Sequence, residues 1–180
     1  LRPESVVLLA RTFEAHASGE LFNCPDETEV VVLLEEAGSI AVGAAAAGIF
    51  AEGGGIAITH VGNISAGEQS SGIHAATGPA GGGISITSRG NIKLTGSRDA
   101  SPLDPAAGIA AFGHSGITIN STGDITTTGE ARHGIFATTE TGNVSITSAG
   151  NVSADGFNAN GIRVTGEGHS SVLIESGKVS

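Results

Sequence analysis

Short stretches in which aliphatic and polar residues alternate recur along the chain. The pair Gly-Ile opens each recurrence, at Gly48, Gly72, Gly108, Gly134 and Gly161, with spacings of 24, 36, 26 and 27 residues. Three alternating stretches follow one another in each unit. Period-two alternation is the pattern of a β-strand with one buried face, so each unit is predicted to hold three short strands.

The inward residues of these predicted strands are similar from unit to unit. In the fourth unit they are Ile135 and Ala137, then Val144 and Ile146, then Val152 and Ala154. A strand this short cannot bury its face alone. Three strands wound once around a triangular coil, each parallel to its equivalent in the next coil at ~4.8 Å, bury their inward residues in one column. We therefore predict an all-β fold, a right-handed single-stranded parallel β-helix, or solenoid, of about five to six coils.

Two kinds of residue mark the predicted corners between strands. A glycine before a strand is expected to supply a positive φ where the chain turns sharply. An Asn or Asp column precedes the third strand of each unit, at Asn63, Asn91, Asp124 and Asn151. Side chains of this kind accept hydrogen bonds from backbone amides, so we predict that the column forms a structural ladder between adjacent coils.

The repeats cover residues 30–180, and one unit is longer than the others. Between Gly96 and Gly108 it carries about ten extra residues, which a coil of fixed circumference must extrude as a surface loop at about 97–107. Prolines and charges make this loop a candidate contact for a partner, through Arg98, Asp99, Pro102, Asp104 and Pro105. The alternative is a tolerated insertion without a role.

Residues 1–29 do not follow the repeat. Apolar residues from Val6 to Ala17 are spaced as on one helical face, and Gly19 could end such a helix. An irregular first strand is the alternative. In either form we expect this segment to be a cap, because the open end of a solenoid exposes core side chains and unpaired strand edges.

Composition fits a narrow core and excludes one class of partner. Aromatic residues make up 3% of the chain, Trp, Tyr and Met are absent, and there are 29 glycines, so the core must be built from Ile, Val and Ala. The net charge of −10 would repel a phosphate backbone, which argues against nucleic-acid binding. The single cysteine, Cys24, is expected to be a small buried hydrophobe.

The sequence offers little that could carry catalysis or bind a metal. The stretch Gly113–Gly116 lacks the Gly-x-Ser-x-Gly spacing of a nucleophile elbow. The outward positions of the second strand, such as Ser85 and Thr87, are small and neutral and supply neither acid nor base. They are also too irregular for an ice-binding threonine ladder. Histidines fall at unrelated positions and are expected at the surface or at corners: His60, His74, His114, His133 and His169. We expect no enzyme activity, cofactor or metal.

The repeat "GIFATTETGNVSITSAGNVSADGFNANGI", residues 134–162, and its sister units resemble the passenger repeats of bacterial autotransporters, which use type V secretion. Filamentous-haemagglutinin-like proteins of two-partner secretion have similar coils. The resemblance covers about residues 30–180. It implies a protein exported through the outer membrane and then secreted or held on the bacterial cell surface. The chain starts at Leu1 without Met and stops at Ser180 inside a repeat, so we expect a longer protein with a C-terminal β-barrel translocator.

The resemblance also suggests a role. It implies adhesion or host-cell interaction through the outward surface and the loops, with a host-cell receptor, a matrix protein or a glycan as partner. A structural stalk without a binding site of its own is the alternative. A polysaccharide-acting enzyme is a third possibility, since many β-helix proteins are of that kind.

Overall fold

The chain folds as a parallel β-solenoid with three strands in each coil. The computed structural model describes residues 5–10, 20–23, 29–34, 39–96 and 106–180, and these hold strands and no helix. Every strand pair is parallel. The all-β parallel β-helix predicted from the repeats is therefore confirmed.

Three sheets form the sides of the solenoid, and we name them A, B and C in the order in which a coil visits them. Sheet A contains β1 Ser5–Ala10, β3 Glu29–Leu34, β6 Gly55–Val61, β9 Ile84–Arg89, β12 Ile117–Thr122, β15 Val144–Ala149 and β18 Ser170–Ser176. Sheet B contains β4 Ile40–Val42, β7 Ile64–Ala66, β10 Ile92–Leu94, β13 Ile125–Thr128 and β16 Val152–Asp155. Sheet C contains β2 Glu20–Asn23, β5 Ala47–Gly53, β8 Ser71–Thr77, β11 Ala107–Gly113, β14 His133–Thr139 and β17 Asn160–Gly166.

Five complete coils run from β3 to β17, each passing through sheets A, B and C in turn, and β18 starts another turn in sheet A. The three turns within a coil are called here the A–B, B–C and C–A corners. The number of coils agrees with the predicted five to six. Because every sheet is parallel, equivalent residues of successive coils lie about 4.8 Å apart and repeat along the solenoid axis.

The core consists of columns of like residues. In sheet B one column runs through residues that are at most 1% exposed: Ile40, Ile64, Ile92, Ile125 and Val152. In sheet C the predicted Ile and Ala positions are buried in the same way, as at Ile73 and Ala75. Branched aliphatic side chains suit a pleated and buried surface, and each coil buries its apolar tips against the next.

Two strands precede the repeats. β1 pairs with β3 and β2 pairs with β5, both in parallel. Of the two alternatives for the N-terminal segment, the structure therefore shows strand at Ser5–Ala10 and not helix. The run Val-Val-Leu-Leu favours a strand. Pairing with β3 stabilises this strand, whereas the helical spacing of apolar residues extends over only a short segment. The rest of the segment, including Cys24, lies outside the described residues, and its role as a cap stays a prediction.

A buried arginine connects coils that are not neighbours. Arg132 at the B–C corner is 0% exposed, and its Nη2 donates a hydrogen bond of 2.8 Å to the carbonyl oxygen of Gly67. Gly67 follows β7, two coils before the arginine. A charged donor makes a stronger hydrogen bond to a carbonyl oxygen than a neutral donor does, so Arg132 braces this corner along the axis.

Candidate functional site

The predicted partner loop lies mostly outside the described residues, which resume at Ala106. Its five named positions, Arg98, Asp99, Pro102, Asp104 and Pro105, are all in that part of the chain. Gly96 follows β10 and Ala107 begins β11, so the extra residues are inserted at the B–C corner of one coil. A partner contact by this loop stays a prediction.

The Asx column at the A–B corner is hydrogen-bonded from coil to coil. The backbone amide of Asn91 donates to Oδ1 of Asn63 at 2.9 Å, and the amide of Asp124 donates to Oδ1 of Asn91 at 2.9 Å. The amide of Asn151 donates to Oδ1 of Asp124 at 2.8 Å, and the backbone amide of Lys178 donates to Oδ1 of Asn151 at 3.1 Å. Each side chain thus accepts a hydrogen bond from a backbone amide of the next coil that the sheets leave unpaired. The column therefore has a structural role.

The expected positive φ occurs in two columns of corner glycines, one at the A–B corner and one at the B–C corner, where Gly96, Gly129 and Gly156 have φ between 95° and 156°. Gly62, Gly90, Gly123 and Gly150, which precede the Asx residues, have φ between 108° and 152°. The glycines of the Gly-Ile pairs do not have positive φ. At Gly72 an added Cβ would lie 2.5 Å from the carbonyl oxygen of Gly108 and 2.6 Å from Cγ2 of Ile92. The Gly-Ile repeat therefore reflects a steric requirement for close packing between coils.

A surface groove of about 850 Å³ follows the C–A corner through four coils. We call it the C–A groove. Its lining consists of Gly54, Gly55, Ile56, Ala57, Ala80, Gly82, Gly83, Ile84, Ser85, Gly116, Ile117, Thr118, Asn143 and Ser145. None of these residues is charged. Its size is typical of ligand sites in proteins, and its position at equivalent places in successive coils makes it long in the direction of the axis.

Glycines keep the floor of the groove low without a left-handed backbone. Gly55, Gly82, Gly83 and Gly116 are all absent from the positive-φ residues. The nearest atom to an added Cβ is at 3.8 Å for Gly55, 3.2 Å for Gly82, 3.1 Å for Gly83 and 3.3 Å for Gly116. At Gly55 a side chain would thus meet only ordinary contacts, so the fold itself does not demand glycine there.

Backbone groups of the floor already pair between coils. The amide of Ile56 donates to the carbonyl oxygen of Gly83 at 3.1 Å, and that of Ile84 donates to Gly116 at 3.0 Å. The amide of Ile117 donates to the carbonyl oxygen of Asn143 at 2.9 Å. These backbone donors are therefore committed to the coil stack.

Side-chain hydroxyls of the groove are available to a ligand. Ser85, Thr118 and Ser145 are register partners in β9, β12 and β15, and all three are exposed. None of their hydroxyls makes a hydrogen bond to another described residue. They form a row of donors and acceptors with one hydroxyl per coil.

A hydrogen-bonded His–Glu pair lies at the same corner, close in sequence to the groove residues Gly116 and Asn143. Nδ1 of His114 is 2.8 Å from Oε2 of Glu140. The neighbouring Ser115 hydroxyl donates to the carbonyl oxygen of Gly81 at 3.0 Å. This hydrogen bond ties the Ser115 hydroxyl to the preceding coil.

The outer face of sheet C carries a row of rings that the sequence analysis missed. Centroids of Phe50 and His74 are 4.8 Å apart, those of His74 and Phe112 5.2 Å, and those of Phe112 and Phe136 5.5 Å. Arg163 continues the row, 5.7 Å above the ring of Phe136. Three of the four phenylalanines with described side chains thus lie in one row.

One member of this row comes from a different strand position. Phe136 pairs in register with Ala110, and Phe112 pairs with Thr138. The ring of Phe112 therefore leans over the small Ala110 to fill the place between His74 and Phe136. The rings stack face to face or tilted, so their faces contact one another and the row reinforces the coil stack.

A polar column interrupts the apolar interior of sheet A. His60, Ser88, Ser121 and Ser148 are register partners and at most 3% exposed. Nδ1 of His60 lies 3.3 Å from the Ser88 hydroxyl, and Nε2 has no hydrogen-bond partner among the described residues. Burial lowers the pKa of His60 from 6.5 to about 4, so this imidazole is neutral near pH 7.

The expectation that histidines occupy the surface or corners is wrong for two of them. His60 is 0% exposed and His133 is 3% exposed. His60 follows Ile56 and Ile58 at period-two spacing, and that spacing could have placed it inside. Within the described ranges no group of three or more His, Cys, Asp or Glu residues could hold a metal ion. No described helix has the length and apolarity needed to cross a bilayer.

Comparisons with family models, curated proteins and solved structures find no match to this chain.

Proposed function

We propose that this solenoid is a binding module of a bacterial surface or secreted protein, of the autotransporter passenger kind, and that it acts in adhesion or host-cell interaction. The observation that carries the proposal is the C–A groove, which spans four coils of a regular stack and presents exposed hydroxyls in three of them. A groove repeated in each coil suits an extended partner better than a small substrate.

Chemistry on the described surface favours binding over catalysis. The groove residues are uncharged, whereas polysaccharide-cleaving sites need clustered carboxylates or a metal. The net charge of −10 and the single cysteine suit a chain that is exported unfolded and stays soluble outside the cell. These features support a secreted or surface location after passage through the outer membrane.

A scaffold role is the second candidate. It is favoured by the hydrogen-bonded Asx ladder and by the row of stacked rings, which both strengthen the stack without offering a ligand site. A pure stalk would leave the groove without a partner.

Binding of the labelled chain to mammalian and plant cells and to immobilised matrix proteins tests the proposal. Two variants are compared with the wild type: a deletion of residues 98–105, and Gly55→Thr, which places a side chain in the groove. Saturable binding by the wild type supports the adhesive role, and the variant that loses it shows whether the loop or the groove is the contact. Absence of saturable binding to every surface would favour the scaffold.

A further inference from the structure

We infer that the C–A groove binds a linear, uncharged glycan that lies along the solenoid axis. The inference rests on the proposed adhesive function and names the chemical class of its ligand.

The shape of the groove selects an extended and repetitive ligand. Its lining residues come from equivalent places before and in β6, β9, β12 and β15. The register Ala57, Ser85, Thr118, Ser145 places one such position in each coil, with a step of about 4.8 Å. A linear polymer of similar units can repeat the same contact from coil to coil.

The free groups of the groove match the hydroxyl groups of sugars. Ser85, Thr118 and Ser145 can each donate and accept a hydrogen bond, and each is exposed at the groove. Ala57 and Ala80 add small apolar surface beside them, against which the C–H groups of a sugar ring can pack. Alternating hydroxyl and C–H contact is the surface that a pyranose presents.

The charges of the groove and of the whole chain favour neutral over acidic glycans. No cationic side chain lines the groove, and the chain as a whole has a net charge of −10. A carboxylated or sulfated polymer would therefore meet repulsion without a compensating partner.

The hydrogen bonds between coils at the floor of the groove argue against an extended peptide as the ligand. A peptide that adds to a sheet needs unpaired backbone groups at a strand edge. In this groove the amides of Ile56, Ile84 and Ile117 already donate to the next coil. The groups left for a ligand include the side-chain hydroxyls, which a glycan can use and a β-strand does not require.

The test uses the full chain and soluble glycans as probes. Mixed-linkage glucan, mannan, xyloglucan and galactan are the neutral set, and polygalacturonate and hyaluronan are the acidic set. Binding is measured by affinity electrophoresis and by titration calorimetry. We expect saturable binding of at least one neutral glycan and none of the acidic ones.

Three variants locate the site. Thr118→Val removes a groove hydroxyl with little change of shape and is expected to weaken binding about 10-fold. Thr122→Val is its matched control, because Thr122 is exposed on the same strand but outside the groove, and it should bind as the wild type does. Gly55→Thr should abolish binding while its urea midpoint stays close to that of the wild type, since the nearest atom to an added Cβ is at 3.8 Å.

The outcomes separate this inference from the adhesive function. If cells or matrix proteins are bound but no neutral glycan is, the glycan inference is overturned and the adhesive function stands. If acidic glycans bind equally well, or if Thr118→Val and Gly55→Thr leave glycan binding unchanged, the inference is overturned as well. If neither cells nor glycans are bound, both proposals fail.

Discussion

A glycine next to the B–C corner and a glycine at the C–A corner serve opposite purposes. Next to the B–C corner, in β8, Gly72 lies against Gly108 and Ile92 so closely that a Cβ at 2.5 Å and 2.6 Å from them would not fit. At the C–A corner, Gly55 has 3.8 Å to its nearest neighbour, and the space above it belongs to the groove. The absence of a side chain at Gly72 lets the coils stack closely, and at Gly55 it leaves room for the groove.

This contrast shows that a repeated glycine has no single meaning in a solenoid. Neither Gly72 nor Gly55 has a positive φ, so backbone conformation does not explain either of them. Contact with the next coil explains Gly72, and the open groove is our explanation for Gly55. Turns at the A–B and B–C corners add a third case, because Gly90 and Gly129 there have φ of 126° and 119°.

The largest expected effect is the difference in stability between substitutions of Gly72 and of Gly55. Gly72→Ala forces its Cβ into the carbonyl oxygen of Gly108, and we expect it to lower the free energy of unfolding by about 3 kcal/mol or more. Gly55→Ala should change it by less than about 1 kcal/mol. Urea denaturation of both variants measures the difference, and equal midpoints would contradict the assignment of the two glycines.

Acidification should lower the free energy of unfolding through His60, which is buried next to the A–B corner and precedes Gly62. The folded chain holds His60 at a pKa of about 4 instead of 6.5. Between these pH values the unfolded state binds a proton that the folded state does not, so stability falls as the pH falls through this window, by about 3 kcal/mol in total.

The variant His60→Leu isolates this effect, because Leu34 is the register partner of His60 in the preceding coil. Urea midpoints are compared for the two proteins at several values from pH 7 to pH 4. The wild type should lose stability relative to the variant as the pH falls. Parallel pH profiles would show that His60 is not responsible.

The Asx ladder should contribute a smaller amount at each rung. Asn91→Ala removes the acceptor of the Asp124 amide, and the expected loss is about 1 kcal/mol of unfolding free energy. Lys93→Ala is the control, since Lys93 is exposed on the adjacent strand β10 and should change stability by less than about 0.5 kcal/mol. A loss at Asn91 no greater than at Lys93 would mean that water replaces the side chain.

The smallest expected effect lies at the end of the ring row on sheet C. Arg163 is exposed, and its contact with Phe136 is worth about 0.5 kcal/mol at such a site. A double-mutant cycle of Arg163→Gln and Phe136→Leu, followed by urea denaturation, measures the coupling. Additive losses would show that the two side chains are neighbours without a net interaction.

Sequence pattern carried much of the fold and little of the candidate site. Period-two alternation identified the inward residues of the repeats, and the Asx column matches the hydrogen bonds from Asn63 to Asn151. The row of rings was missed because Phe112 lies two residues after Ala110, the register partner of Phe136, so the aromatic residues do not recur at one position of the repeat. Only the stacking of the coils brings their rings together. The groove was missed because glycine and serine have no distinctive pattern until the coils are superposed.

The sequence by itself determined that each unit has three short strands, which of their residues face inward, and that like residues stack in columns. These are local consequences of alternation and of a repeated length. Only the tertiary structure decided which glycines touch the next coil, where a groove stays open, and that the ring of Phe112 crosses over Ala110. Those features depend on the distance between backbones of different coils, which a local pattern of residues does not contain.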